Sequence, residues 1–226
     1  KTLAGSDRCL NIPGNALCIE VLAYDVNQVA LDEIHIGLTK AATLFPITPD
    51  ELEWDQRQGS PIQIKDYLGV VLGHNEKTDL DFVVGDICLF RYDALDLRDQ
   101  DDFPGCIDVV NRSVSKIARG GASASGTGTT NSGSLILASN VMWEQNPTEP
   151  GKNMRYLPKK IIAHEYFHSY QEVHAGKLSQ EPTNRIAAVG PVWLVEGGAE
   201  YAATWMAVAE DWMDWDNQMR WRLNEI

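Results

Sequence analysis

The chain has 226 residues, 44% hydrophobic and 23% charged, enough for one large domain or two small lobes sharing a core. Its 32 acidic against 19 basic residues give a formal net charge of −13, which argues against nucleic acid and anionic membrane surfaces as partners and mildly favours neutral or basic substrates. No apolar run approaches the ~20 residues of a membrane span, and the opening Lys1-Thr2-Leu3-Ala4-Gly5 lacks the charged start and apolar core of a signal peptide.

The first dozen residues carry turn formers (Gly5-Ser6-Asp7, Asn11, Pro13-Gly14) and read as a surface loop stapled by a cysteine pair. The four cysteines fall into two local pairs with no C-x-x-C, so the expected disulfides are Cys9–Cys18 and Cys88–Cys106; four buried thiols are the plainer alternative. Disulfides imply an oxidising setting, secreted or periplasmic. From Asn27 to Phe45, Val29, Ile34, Leu38, Ala41 and Phe45 recur at helical spacing, predicting a helix ended by Pro46, with His35 as an ordinary helical histidine. Thr48-Pro49-Asp50-Glu51 looks like another helix start, and the segment from Ser60-Pro61 through Val70-Val71-Leu72 has no decided type.

Phe82 to Phe90 is rich in β-branched and aromatic residues and predicts a strand or buried segment. Asp93, Asp96, Asp99, Asp101 and Asp102 lack the spacing and glycine of a calcium loop and read as a solvated acidic loop. Ile107 to Ala118 predicts a short amphipathic helix ended by Gly120-Gly121, and contains the formal sequon Asn111-Arg112-Ser113. Residues 120–133 are glycine, serine, threonine and alanine with almost no large side chain, expected as a lid or, more plainly, a linker. Ser134 to Ser139 is a short apolar strand, read as a substrate-holding edge ahead of the helix that follows.

That helix begins near Pro158, draws apolar surface from Ile161, Ile162, Phe167 and Val173, and is capped at Gly176. It carries His164-Glu165-Tyr166-Phe167-His168, the H-E-x-x-H pattern of zinc hydrolases. Residues four apart share a helical face, so both imidazoles can meet one Zn²⁺, while Glu165 is placed to take a proton from a water held there. Two residues compete as third ligand. His174 has the spacing of H-E-x-x-H-x-x-G-x-x-H, the metzincin pattern, with Gln171 where the helix-breaking glycine belongs. On an unbroken helix it stands about 240° around the axis from His168.

The other candidate lies in Trp193-Leu194-Val195-Glu196-Gly197-Gly198-Ala199-Glu200-Tyr201, which resembles the W-L-x-E-G-x-A-E-Y segment of gluzincin metallopeptidases. The resemblance covers Pro158 to Ala202. It implies that Glu196 completes the zinc site and that Glu200, four residues on, hydrogen-bonds a zinc-binding histidine. The exopeptidase branch's G-x-M-E-N-type element is absent from the sequence, which points away from an aminopeptidase. Tyr201, Tyr170 and His174 are nominees for stabilising the oxyanion. Gly197-Gly198 suggests close approach to the metal helix. In the tail, Trp205, Trp212 and Met219, seven apart, suggest a buried stripe.

The expectation is an α+β, mostly helical, zincin-like fold with a small sheet whose edge strand precedes the active-site helix. It would be one catalytic domain over 1–226: an N-terminal lobe of about 1–119, the loop 120–133 and a zinc-binding lobe 134–226. The expected function is zinc-dependent hydrolysis of peptide bonds by a secreted endopeptidase with one catalytic Zn²⁺ and a peptide or protein substrate. The alternatives are a catalytically silent zincin-like binding domain and a metzincin-type peptidase using His174.

Overall fold

The computed structural model describes residues 10, 12–23, 28–48, 67–72, 82, 85, 134–138, 158–176 and 190–216. Three helices form most of it: α1 over Gln28–Leu44, α2 over Pro158–Gly176 and α3 over Val192–Ala209. Three short strands, β1 (Cys18–Ala23), β2 (Tyr67–Leu72) and β3 (Ser134–Ala138), pair in the order β1-β2-β3. Both pairings are parallel, with Cys18 opposite Tyr67 and Leu68 opposite Ser134.

This arrangement corrects the expected α+β, zincin-like class. Helix dominates the described residues, and the interior is helix packed on helix: α1 and α3 each lie against α2. The strands run parallel with α1 falling between β1 and β2 in sequence, whereas α+β proteins segregate their helices from antiparallel sheets. Parallel neighbours need crossover connections, and their pairing rests on contacts far apart in sequence that no local pattern encodes.

The expected helix from Asn27 to Phe45 is α1. Ile34, Leu38, Ala41 and Ala42 line one face and are wholly buried, as spacings of three and four require. They meet Ile162, Ala163 and Tyr166 of α2, Ala203 and Met206 of α3, and Ile19 of β1 in one core. Full burial of each large aliphatic side chain contributes about 1.5–3 kcal/mol. Gly37 sits where α1 crosses α2. A Cβ there would collide with the Lys159 carbonyl oxygen and lie 2.5 Å from Ile162 Cγ2, so the helices touch backbone to backbone.

Tyr166 fills an "x" of the metal motif and is completely buried on the core side of α2. Its hydroxyl donates to the Phe45 carbonyl at 2.8 Å and accepts from Asn15 Nδ2 at 2.7 Å. Asn15 Nδ2 also reaches the Ala42 carbonyl, and Asn15 Oδ1 accepts from the Leu17 amide. The Tyr166 hydroxyl and the Asn15 amide are therefore paired, and they fix the rotation of α2 about its axis. α3 ends in a Schellman arrangement: the amides of Asp211 and Trp212 bond the carbonyls of Val208 and Ala207, with Asp211 at φ 55°.

Phe82 and Gly85 are helical in backbone, and Phe82 is 61% exposed, so these two positions do not have the expected strand or buried character; the rest of Phe82 to Phe90 lies outside the described residues. Of the expected Trp205–Trp212–Met219 stripe, Trp205 is 46% exposed, Trp212 packs partly buried against the core and Met219 lies outside the described residues; the buried residues of α3 are Val195, Ala199, Ala202, Ala203, Thr204, Met206 and Ala207. Among the described residues no helix is long and apolar enough to cross a membrane. Cys9, Cys88, Cys106 and the Cys18 side chain, the acidic loop, the 107–118 helix and the 120–133 loop lie outside the described residues.

Candidate metal centre

α2 presents two faces. Ile162, Ala163 and Tyr166 point to the core; His164, His168 and Gln171 share the other side, at the spacings of four and three that align side chains along a helix. α3 lies against that side and brings Glu196 and Glu200.

The donor atoms converge. His164 Nε2 and His168 Nε2 are 3.1 Å apart, and Glu196 Oε2 lies 3.4 Å from the first and 3.5 Å from the second. A tetrahedral Zn²⁺ with nitrogen and oxygen ligands at about 2.0–2.1 Å separates its donors by roughly 3.3–3.4 Å. The triangle has that size. Glu165 also groups with the two histidines, their donor atoms all within 4.8 Å of one another. Its carboxylate stands 3.9 Å from His168 Nε2, so the tighter triangle is the one closed by Glu196, which is also the more exposed carboxylate at 57% against 14%.

Behind the triangle each imidazole has a partner on its far nitrogen. His164 Nδ1 lies 3.3 Å from Glu200 Oε2; a carboxylate only accepts, so Nδ1 carries the proton and the Nε2 lone pair faces the site. Glu200 Oε1 in turn accepts from Lys160 Nζ at 2.5 Å, and Lys160 is 2% exposed. His168 Nδ1 lies 2.9 Å from Gln171 Oε1, and Gln171 Nε2 donates to the Val195 carbonyl at 3.0 Å. Burial disfavours charge on both rings. At His164 it is outweighed by the Glu200 hydrogen bond and by the carboxylates of Glu165, Glu200 and Glu196, so the pKa is raised. At His168 burial and the charge of His164 prevail over Gln171 and Glu196, so the pKa is lowered.

His174 stands elsewhere. α2 continues unbroken to Gly176, and His174 Nδ1 bonds the Tyr170 carbonyl at 2.8 Å with its ring 3.9 Å from that of Tyr170. Tyr170 also stacks on Phe167 and meets Phe45 in an aromatic cluster. Tyr201 follows Glu200 on α3 and is 64% exposed. Gly198 has the close approach expected of the glycine pair, since a Cβ there would lie 3.0 Å from Gln171 Nε2, whereas Gly197 faces open space.

Sequence reasoning missed Lys160 and Gln171. Lys160 precedes His164 by one turn, but lysines are seldom buried and nothing local marks this one. Gln171 shares a face with His168 at i, i+3, a usable signal, though its position drew notice as the place of an absent glycine. Comparison with family models, with curated proteins and with solved structures finds no match.

Proposed function

We propose that the chain is a zinc-dependent hydrolase of peptide bonds, an endopeptidase in which His164, His168 and Glu196 hold one Zn²⁺. The observation that carries this reading is the triangle of two imidazole nitrogens and one carboxylate oxygen at 3.1–3.5 Å. Two lone pairs and an anion so close repel one another unless a proton or a metal cation lies among them, and the spacing suits zinc.

A Zn²⁺ bound there supplies Lewis acidity, polarising a carbonyl and lowering the pKa of a water toward about 7. Glu165 borders the triangle and is the general base: its carboxylate takes the proton of the attacking water and delivers it to the nitrogen of the leaving amine. Glu200, backed by Lys160, holds His164 in the tautomer that turns Nε2 inward. Glu196, 57% exposed, is the donor of the triangle nearest to solvent.

The test pairs a metal assay with cleavage of a random peptide mixture, for the native chain and for Glu165→Gln. The expected result is one zinc per chain in both proteins, internal cleavage by the first and a loss of at least about a hundredfold in the second. Equal activity in Glu165→Gln removes the assigned base. Zinc without cleavage by the native chain makes this a metal-holding binding domain.

A further inference from the structure

We infer that Gln171 is a positioning residue that fixes the tautomer of His168 and ties that ligand to the backbone beside Glu196. The inference rests on the zinc reading for its purpose, and its geometry stands apart from it.

A chain of hydrogen-bond logic leads there. The Val195 carbonyl can only accept, so the Gln171 group 3.0 Å from it must be the amide NH₂. That orientation turns Gln171 Oε1 toward His168 Nδ1 at 2.9 Å. An amide oxygen also only accepts, so His168 Nδ1 must carry the proton and His168 Nε2 must present its lone pair to the triangle. The tautomer of a ligand on α2 is thus dictated by a carbonyl on α3, with one glutamine between them. Val195 directly precedes Glu196, so the same bond sets how far along α2 the third donor docks. Gly198 leaves the room: a Cβ there would lie 3.0 Å from Gln171 Nε2 and press the amide out of line. The two histidines are therefore held by different devices, His164 by a carboxylate with a buried lysine behind it and His168 by a neutral amide clamped to a backbone.

The tautomer of His168 is read by long-range ¹H–¹⁵N correlation in metal-free protein, and zinc affinity is read by chelator competition. In the native chain His168 is expected as the Nδ1–H form. Gln171→Leu should lose that preference and weaken zinc binding about 10–100-fold at unchanged stoichiometry and helix content. Gln171→Glu, nearly isosteric, keeps an acceptor for Nδ1–H but no donor for Val195; it should keep the tautomer and bind zinc with intermediate affinity. Gly198→Ala should shift affinity in the same direction as Gln171→Leu. If Gln171→Leu leaves tautomer and affinity unchanged, the inference is overturned, and so it is if Gln171→Glu shows His168 as Nε2–H. A native chain that binds no zinc, yet whose His168 tautomer depends on Gln171, refutes the zinc reading while upholding the clamp.

Discussion

His164 and His168 differ by one turn of helix and by the sign of their net pKa shift, although burial disfavours charge on both. With its pKa raised by Glu200 and the neighbouring carboxylates, His164 in the metal-free chain holds its proton to higher pH than His168 does. For folding, the raised value at His164 contributes stability that is full below the unfolded value of 6.5 and is lost as pH rises through the folded one. The lowered value at His168 acts oppositely, costing stability as pH falls from 6.5 toward its folded pKa. Zinc must displace the proton on His164, so below that raised pKa its affinity should fall by about tenfold per pH unit. Calorimetry in buffers of different ionisation enthalpy should count about one proton released per ion there; no release would contradict the arrangement. The third donor is separable in the same way. Glu196→Ala should lose most of its metal under dialysis and His174→Ala should keep it, whereas the reverse outcome would place His174 at the ion.

At the scale of elements, α2 works because its two faces are both engaged. Tyr166 and its partners Asn15 and Phe45 lock one face to the core, and the opposite face carries the donors. The crossing at Gly37 sets how closely α1 can hold it. Gly37→Ala should therefore destabilise the chain despite alanine's better helix propensity, by about 1–3 kcal/mol, because a methyl group must displace the Lys159 carbonyl and Ile162. Denaturant melts should show a lower midpoint at unchanged slope; a midpoint equal to or above the native one would mean the crossing can open without cost. The periodicity of Ile34, Leu38 and Ala41 made α1 readable in advance, as Pro158 and Gly176 did for α2. β1 was not, because Cys18–Ala23 is a short run beside turn formers and its partner lies some fifty residues away.

For the whole molecule, the expected triangle came from two sources: the spacing of His164 and His168, a local property of a helix, and the resemblance of the stretch 193–201 to a gluzincin segment, which nominated Glu196. The parallel pairing of the strands, the burial of Lys160 and the bond from Gln171 to Val195 depend on how distant elements dock, which helical or strand periodicity does not carry. Glu196 is the donor contributed by α3, while His164 and His168 belong to α2, so an ion there joins two elements otherwise held by packing and a few hydrogen bonds. Zinc at a hundred times its Kd should add about 2.7 kcal/mol. Thermal melts with and without chelator should differ accordingly, and hydrogen exchange should place the loss chiefly in α3. Coincident melts would leave the ion without a structural part.

Lys160 also bears on which guests the site welcomes. Glu165, Glu196 and Glu200 bring three carboxylates to the two imidazoles, and the buried ammonium of Lys160 answers one of them. On the zinc reading, a divalent cation entering the triangle would meet this carboxylate charge in partly buried surroundings, where unmatched charge is costly. Through its bond to Glu200, the lysine would temper the negative charge that such an ion meets.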